Sequence, residues 1–346
     1  MHRAWKHLKY PFRHPGIIPR AVSNYARMTF LSQPRLRAVE FAINYDCQCH
    51  CDHCSAAFLR KDGVEPLTTD EIRDVAEQSW RLGTMNLNFT GGEALMHPGL
   101  GEMIRAAHPR SAVVSVATNG IRLDRAMARS LRRWGARIVT MSVDSSDPET
   151  HDRFRHFPGC FQKVMDATRY CRQEGIEVFW CTVMTHENAS DGDLMRLVRM
   201  AADRRIMLTV NKPCPVGRWQ DRAPGLTEGD RKLHAELMKL PHLRWEGHSN
   251  YRKEGCPAGI EKLYISPYGD VMPCPFIHIG YGNLREESLA SIWKRMLASS
   301  SFNAIRPGCP ISEDPAFGEK FLKPITDRGE HPLPARLHPV EKDPRP

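Results

Sequence analysis

The stretch VEFAINYDCQCHCDHC, residues 39–54, decides the fold because it joins a β-type run to a tight group of cysteines. The run at 39–44 is mostly apolar, as is typical of a parallel strand covered on both faces. Cys47, Cys51 and Cys54 follow it, with three and then two residues between them. Three thiolates on one short loop can hold three irons of a four-iron cubane and leave the fourth iron open to a bound molecule.

Zinc is the alternative metal for this loop, because zinc also binds clustered Cys and His. In that case His50 or His53 would join Cys49 in the site. The chain has 11 cysteines, an odd number, and four of them lie within residues 47–54. In a reducing compartment such crowding favours metal ligation over a disulfide framework.

Five further β-type runs follow the first one, at residues 86–90, 112–118, 137–143, 176–183 and 206–211. Helices are predicted between them, at about 99–107, 124–134, 161–174 and 191–204. An earlier helix begins after Thr68, which forms the pattern of a capping box with Glu71. Six strand–helix units in series predict a parallel α/β barrel, complete or partial, with its chemistry at the carboxyl ends of the strands. A doubly wound open sheet is the alternative.

The cysteine spacing, on the loop after the first strand of a six-unit α/β chain, resembles the radical S-adenosylmethionine (SAM) superfamily. The resemblance covers about residues 38–215. It implies a partial (β/α)6 TIM-like barrel, SAM as cofactor, and a SAM-binding [4Fe-4S] cluster held by Cys47, Cys51 and Cys54. The family usually has an aromatic residue before the third cysteine, and here His53 offers an imidazole that can pack against adenine. The extra Cys49 is assigned no ligand role.

Polar residues and glycines at the ends of the following strands match SAM-binding positions of the family. A Gly-Gly-Glu sequence resembles the motif that grips the SAM amino group, since glycines allow close approach and a carboxylate can hold an ammonium group. The later positions are candidates for contacts to the SAM ribose or carboxylate, or to substrate. The alternative is that these residues have only structural roles, as a strand end, a helix cap and a solvated pair of arginines. The candidates are Gly91, Gly92, Glu93, Asn119, Ser142, Asp144, and one of Arg153 and Arg155.

A second set of cysteines comprises Cys256, Cys274 and Cys309. Twelve residues separate Cys256 from Gly269 and four separate Gly269 from Cys274, with a hairpin predicted from 262–265 and 271–274. This pattern, over residues 256–309, resembles the SPASM extension or its shorter twitch form. Three cysteines favour twitch, which implies one auxiliary iron–sulfur cluster of the [4Fe-4S] type. The fourth ligand of this cluster could be Ser312, Glu313, Asp314, Cys214 or the substrate. The alternative to a cluster is that the three cysteines are unrelated and simply buried.

Cys214 lies on the loop after the sixth strand, which is the predicted active-site side of the barrel. A thiol there could donate a hydrogen atom to a substrate radical, as an epimerase requires, so Cys214 is the candidate catalytic residue. A structural role is the alternative for it. Cys160, Cys171 and Cys181 fall within or beside core elements and are predicted to be structural.

The net charge of +9 is concentrated at the start of the chain, where residues 1–39 contain eight Arg or Lys and no acid. Aromatic residues are interleaved with these cations, so the segment could contact anionic lipid or nucleic acid. An ordinary arm packed on the barrel is the favoured interpretation. The arm is short for the leader-binding domain of peptide-modifying relatives, which favours a small-molecule substrate over a ribosomal peptide.

The chain is divided into four predicted segments: a basic arm at 1–37, the barrel core at 38–215, the auxiliary-cluster domain at 216–322 and a tail at 323–346. The tail is too rich in proline for a compact element. No apolar run approaches the ~20 residues that span a bilayer. The start of the chain lacks a secretory signal, so the cytoplasm is the expected location.

The resemblance implies that SAM is cleaved reductively to a 5′-deoxyadenosyl radical, which takes a hydrogen atom from the substrate. Reduced flavodoxin or ferredoxin is the expected electron donor, and a small molecule of natural-product or sugar-like type is the expected substrate. Oxidation is expected because an auxiliary cluster can accept an electron. The alternatives are epimerisation with Cys214 as hydrogen donor, maturation of a ribosomal peptide, RNA modification, and a non-enzymatic electron carrier.

Overall fold

A computed structural model describes residues 15–221, 225–248, 255–299 and 308–340. Six strands form at the predicted runs, each apolar enough to be covered by helices. They are β1 (Ala38–Ala42), β2 (Asn86–Thr90), β3 (Val113–Thr118), β4 (Ile138–Ser142), β5 (Glu177–Val183) and β6 (Met207–Asn211).

The helices of this half of the chain include the predicted ones and three that were missed. Thr68 and Glu71 form the expected capping box, in which Thr68 N donates to Glu71 Oε2 at 2.7 Å. The helices are α1 (Ile18–Phe30), α2 (Thr69–Leu82), α3 (Leu100–Ala106), α4 (Arg125–Trp134), α5 (Pro148–Arg155), α6 (Cys160–Gln173), α7 (His186–Ser190) and α8 (Asp193–Asp203). The missed helices are α1, α5 and α7; α5 begins with a proline at its first turn and Asp147 as its cap.

The remaining strands extend the same sheet. They are β7 (Leu243–Arg244), β8 (Lys262–Ile265) and β9 (Val271–Met272), and the sheet order is β7–β6–β5–β4–β3–β2–β1–β8–β9. All neighbours are parallel except the β8–β9 hairpin, which was predicted. Strands β1 to β6 follow one another without the reversal of a doubly wound sheet, so the partial barrel is confirmed.

The last part of the chain contains more regular structure than its prolines suggested. Helix α9 (Glu228–Leu237) precedes β7, and α10 (Leu289–Ala298), α11 (Pro310–Glu313), α12 (Pro315–Phe317), a π-helical turn (Gly318–Leu322) and α13 (Lys323–Arg328) follow β10 (Ile279–Gly280). Strand β11 (Leu333–Pro334) pairs with β10. The expectation of no compact element after residue 323 is therefore wrong up to residue 340, and 341–346 lie outside the described residues.

The described part of the basic arm packs on the amino-terminal end of the barrel, as favoured. Asn24 Nδ2 donates to Gly83 O at 2.7 Å, and Ile17 packs with Val113 and Phe179. Residues 1–14, which carry half of the arm's cations, lie outside the described residues. In the described ranges, no helix combines the length and the apolar character that crossing a membrane requires.

Candidate active site

The cysteine loop is held against the loop after β2 by direct backbone contact. Gly92 N donates to Asn44 O at 2.9 Å, and Glu93 N donates to Asp46 O at 2.8 Å. A Cβ atom at Gly91 would lie 2.2 Å from Asn44 O, so a side chain cannot be accommodated there. The glycines therefore allow close approach, as predicted, but the approaching group in this structure is the backbone that leads into Cys47.

Three donors surround the thiols of this loop. Cys49 N and Asn119 Nδ2 donate to Cys47 Sγ at 3.4 and 3.6 Å, and Arg155 Nη1 donates to Cys51 Sγ at 3.4 Å. The Cys49 thiol and Arg155 lower the pKa of Cys51 to about 6, while burial raises the pKa of Cys54. Donors directed at sulfur stabilise thiolates and cluster ligands, so this loop fits an iron–sulfur cluster.

Cys49 lies among the ligand candidates without matching their spacing. Its thiol interacts with the thiols of Cys160, Cys47 and Cys51, and these interactions raise the pKa of Cys49. The same contact with Cys49 lowers the pKa of Cys160 to about 5. Cys160, predicted to be structural, is thus next to the cysteine loop, and no spacing in the sequence indicated this position.

Asp144 and Arg155 form a buried ion pair beside Cys51. Arg155 Nε is 2.5 Å from Asp144 Oδ2, and both side chains are less than a tenth exposed. Burial alone would raise the pKa of Asp144, but Arg155, His53 and His151 together hold that pKa below its usual value. Arg153 is exposed and donates to Thr150 Oγ1. Of the two arginines, Arg155 is therefore the one brought to the site.

Glu93 is buried, and its carboxylate is engaged inside the protein. Its oxygens accept hydrogen bonds from Thr118 Oγ1 and Asn119 N, both at 2.7 Å, and from Leu95 N at 3.0 Å. Burial raises the pKa of Glu93, and these bonds oppose that shift. Glu93 therefore fixes the end of β3, and Asn119 with it, whereas contact with a SAM ammonium group stays a prediction.

His53 lies in an aromatic cage at the rim of the cysteine loop. Its ring stacks on Phe154 at 4.9 Å between centroids and is tilted against Trp219 at 5.7 Å. Burial lowers the pKa of His53 to about 4, so the ring is neutral. Its Nδ1 is buried and has no hydrogen-bond partner among the described residues. A flat polar ring with a free acceptor or donor fits the predicted contact with adenine.

The second set of thiols converges as well, and Cys214 is part of it. Cys214 Sγ donates a hydrogen bond to Lys212 O at 3.7 Å, and Cys214 and Cys309 interact electrostatically with each other and with Cys256. Burial raises the pKa of Cys274, which interacts with the same three thiols. The turn glycine Gly269 has φ of +90°, and Asn283 Nδ2 secures that turn by donating to Tyr268 O. The hairpin thus brings two cysteines to a third and to Cys214.

No group of three or more His, Cys, Asp or Glu side chains in the described ranges forms a site for a single metal ion. A cubane takes one thiolate for each iron, so its ligands surround a wider space than one ion does. The first set has three thiols on the loop 47–54, and the second has Cys256, Cys274 and Cys309 together with Cys214. They are described below as cluster sites.

The first thiol set borders one cavity of about 1540 Å3 inside the barrel, and Pro275 and Phe276, which follow Cys274, also line it. Cys47, Cys51 and Cys54 lie on its wall together with Gly91, Gly92, Asn119 and Ser142, and Cys214 lies on it too. Its mostly apolar wall also carries charged and polar side chains: Lys262 Nζ is 2.9 Å from Glu40 Oε1, and Asn211 Nδ2 donates to Glu246 Oε2 at 3.5 Å. A cofactor and a substrate can both be placed in a space of this size.

A parallel α/β barrel with two thiol sets around its interior cavity defines the class of cluster-binding barrel enzymes. Residues 42–201 match the radical SAM superfamily, and residues 256–314 match the SPASM iron–sulfur cluster-binding domain. The chain belongs to the radical SAM superfamily and carries a SPASM domain. Membership confirms SAM and a [4Fe-4S] cluster as cofactors and the binding of auxiliary iron–sulfur in the second part.

Two curated relatives and one solved structure illustrate the range of similar proteins. The AdoMet-dependent heme synthase of Oleidesulfovibrio alaskensis is 24% identical over 76% of this chain and 75% of its own length. The PqqA peptide cyclase of Rhizobium meliloti is 26% identical over 76% of this chain and 74% of its own length. Streptococcus suis SuiB bound to precursor peptide SuiA shares the fold, with a TM-score of 0.62 at 14% identity over 78% of this chain and 67% of that chain.

Several residues of the site were missed in the sequence. Gln48, Phe154 and Trp219 touch predicted residues, and Thr118 anchors Glu93. Aromatic residues at 154 and 219 had no spacing that linked them to the cysteine loop. The strand-end position of Thr118, next to Asn119, was the one signal that could have identified it.

Proposed function

We propose that this chain is a radical SAM oxidoreductase that removes hydrogen from a substrate held in the barrel cavity and passes an electron to the auxiliary cluster. The single observation that carries this proposal is that one cavity is lined by Cys47, Cys51 and Cys54 and also by Cys214, which interacts with the thiols of the second set. When bound, SAM and the first cluster supply a radical strong enough to break an unactivated C–H bond.

The residues around the cavity have separate parts in this proposal. Cys47, Cys51 and Cys54 hold the first cluster, and Arg155 and Asn119 donate to its sulfur ligands. His53 packs against the adenine, and Gly91, Gly92, Glu93, Ser142 and Asp144 shape or contact the SAM site. Reduced flavodoxin or ferredoxin delivers the electron that starts the reaction.

The oxidation balances without an added oxidant. The substrate gives up one hydrogen atom and then loses one proton and one electron, so that a single bond becomes a double bond. The auxiliary cluster, when held by the second thiol set, would supply the acceptor for that electron, and its return to the first cluster would offset the electron used to cleave SAM. The net reaction consumes one SAM and yields methionine, 5′-deoxyadenosine and the oxidised substrate.

A small molecule is the first candidate substrate, and a peptide is the second. The peptide alternative is favoured by the similarity to PqqA peptide cyclase and by the shared fold of SuiB bound to its precursor peptide. The similarity to AdoMet-dependent heme synthase favours the small molecule. Radical epimerisation is the alternative reaction, and in that case Cys214 would return a hydrogen atom to the substrate.

The cleavage of SAM is tested with the full chain after oxygen-free reconstitution. SAM and dithionite are added, and methionine and 5′-deoxyadenosine are quantified. The wild type and a Cys171→Ala control, which alters a buried thiol away from the cavity, should release both products. Combined Cys47→Ala, Cys51→Ala and Cys54→Ala should reduce release to background. Equal release by this triple variant would refute the proposal.

The reaction type is tested with a small-molecule fraction and a peptide fraction from cells grown in deuterated medium. Deuterium in 5′-deoxyadenosine identifies the fraction that contains the substrate. A consumed compound that loses two hydrogens supports oxidation. A product of unchanged mass supports epimerisation instead, and activation by the peptide fraction alone overturns the small-molecule assignment.

A further inference from the structure

The loop at residues 212–219, between β6 and α9, touches both thiol sets. At its far end Arg218 N donates to Cys54 O at 3.1 Å, and a Cβ at Gly217 would lie 2.1 Å from that same oxygen. At its near end Cys214 Sγ donates to Lys212 O at 3.7 Å and interacts electrostatically with Cys309. Lys212 is ion-paired with Glu313, so the loop is also joined to the segment that carries Cys309.

Most of the other candidates for a fourth ligand of the auxiliary cluster are already engaged. The Glu313 carboxylate binds Lys212 and accepts from Cys309 N at 2.7 Å. The Asp314 carboxylate caps the next helix by accepting from Ala316 N and Phe317 N. Ser312 Oγ is buried without a hydrogen-bond partner among the described residues, which leaves Ser312 and Cys214 in competition.

Cys214 has the better position and the better chemistry. Lys212, two residues before it, is ion-paired with the Glu313 carboxylate that accepts from Cys309 N, so the two segments lie side by side. The Cys214 thiol also interacts electrostatically with Cys309, Cys274 and Cys256. A thiolate is also a softer donor than a serine hydroxyl and is the usual ligand of iron in these clusters.

We propose that Cys214 is the fourth thiolate ligand of the auxiliary cluster, together with Cys256, Cys274 and Cys309. This inference rests on the auxiliary cluster of the proposed function. Three ligands then come from the SPASM domain and one from the barrel, and each thiol releases its proton when it binds iron. Four thiolates leave no iron open, so the substrate does not coordinate this cluster, and the cluster acts as an electron acceptor.

The assignment also decides the role of Cys214 in the reaction. A thiolate bound to iron carries no S–H bond and has no hydrogen atom to give to a substrate radical. Cys214 as ligand therefore excludes Cys214 as the hydrogen donor of an epimerase. The loop that carries it becomes a covalent link, through iron, between the barrel and the SPASM domain.

The test isolates the auxiliary cluster by using the full chain with Cys47, Cys51 and Cys54 replaced by alanine. We expect this background to bind about four irons per chain after reconstitution. Adding Cys214→Ala should lower the iron content to about three or fewer and convert the electron paramagnetic resonance spectrum to that of a three-iron cluster. Adding Ser312→Ala or Cys171→Ala should change neither measurement.

The outcomes separate this inference from the proposed function. Full iron content and an unchanged spectrum in the Cys214→Ala chain overturn the inference, and a loss in the Ser312→Ala chain assigns the ligand to Ser312. Absence of iron from the background chain itself overturns the auxiliary cluster and thus the proposed electron acceptor. The Cys214→Ser variant controls for misfolding, because serine keeps the side-chain volume and offers an oxygen ligand. It should retain four irons and give an altered electron paramagnetic resonance spectrum.

Discussion

Arg153 and Arg155 lie two residues apart on α5 but differ completely in their surroundings. The Arg155 guanidinium is buried between Asp144 and Cys51, whereas Arg153 is exposed. Removing one partner of a buried ion pair leaves the other charge without compensation, which typically costs 3–5 kcal/mol. An exposed arginine with one neighbouring contact contributes far less.

We therefore predict that Arg155→Gln lowers the free energy of unfolding by about 3–5 kcal/mol, and that Arg153→Gln changes it by less than about 0.5 kcal/mol. Denaturant unfolding under anaerobic conditions measures both values. Adding Asp144→Asn to Arg155→Gln should recover part of the loss, because the uncompensated carboxylate is gone. Equal effects of the two arginine variants would contradict the placement of Arg155.

Gly217 and Gly175 provide a second matched pair of residues. Both have positive φ, at +58° and +71°, so alanine costs backbone energy at either position. A Cβ at Gly175 meets nothing within 4 Å, whereas a Cβ at Gly217 would lie 2.1 Å from Cys54 O. Backbone atoms of the cysteine loop must move to accept it.

We predict that Gly175→Ala lowers stability by about 1–2 kcal/mol and keeps the iron content. Gly217→Ala should lower stability further and reduce the iron bound by the first cluster, because Cys54 is displaced. Thermal unfolding and iron analysis of the reconstituted proteins test this. If both variants bind iron equally well, the contact with Cys54 is not needed for the cluster.

Single residues were predictable from sequence where local spacing carried the information. Cys47, Cys51 and Cys54 share one loop, and Thr68 and Glu71 share one helical turn. Cys214 meets Cys309 across nearly one hundred residues of chain, and no spacing rule links them. The internal bonds of Glu93 were equally hidden, since a sequence motif does not reveal which neighbours occupy a carboxylate.

Among the elements, the strands of the barrel were predicted to within two residues because their apolar runs are long and bounded by polar turns. Helix α1 was not predicted, and it differs from the other helices in that its apolar residues Ile18, Val22 and Tyr25 are exposed while the polar Asn24 is buried. The pair β10 and β11 was missed for another reason. Each has two residues, and β11 contains Pro334, so neither propensity nor length indicates a strand.

A buried histidine, His278, lies next to the β10–β11 pair, and its titration predicts that the stability of the protein depends on pH. His278 Nε2 is 3.1 Å from Pro275 O, and His278 O accepts from Leu333 N at the start of β11. Burial, and secondly the neighbouring His331, lowers the pKa of His278 to about 4. The unfolded chain has a histidine pKa of about 6.5. The pKa of His278 is lower in the folded than in the unfolded chain. The stability that neutral His278 contributes above pH 6.5 is therefore lost as the pH falls towards 4.

Between pH 7.5 and 5.5 this single group should lower the free energy of unfolding by about 1.4 kcal/mol. Glutamine at this position keeps a hydrogen-bond donor but does not titrate. The free energy of unfolding of His278→Gln should therefore fall by about 1.4 kcal/mol less than that of the wild type over the same pH interval. Denaturant unfolding at the two pH values tests both proteins. Parallel pH profiles would show that His278 is not the titrating group.

At the scale of the whole molecule, the barrel and the SPASM domain share one sheet and one cavity. Strand β8 of the second part pairs with β1 of the first, so the two cluster sites are fixed relative to one another. Lys262 on β8 lies between Glu40 on β1 and Glu246 after β7. Burial, and then Glu246, raises the pKa of Glu40, while Lys262 lowers the pKa of Glu246. One ammonium group therefore compensates two buried carboxyl groups from different parts of the chain.

Lys262→Met should lower the free energy of unfolding by about 3–5 kcal/mol, because two buried acids then face each other without a cation. Glu40→Gln added to Lys262→Met should recover a large part of that loss, since one acid no longer ionises. A double-mutant cycle of the two single variants and the pair, measured by anaerobic denaturant unfolding, gives the coupling energy directly. Strictly additive losses would mean that Glu40 and Lys262 act independently and that the junction of the two domains is held by backbone pairing of β1 and β8. A strong coupling would assign that junction to the charge cluster of Glu40, Lys262 and Glu246, all three of which line the cavity.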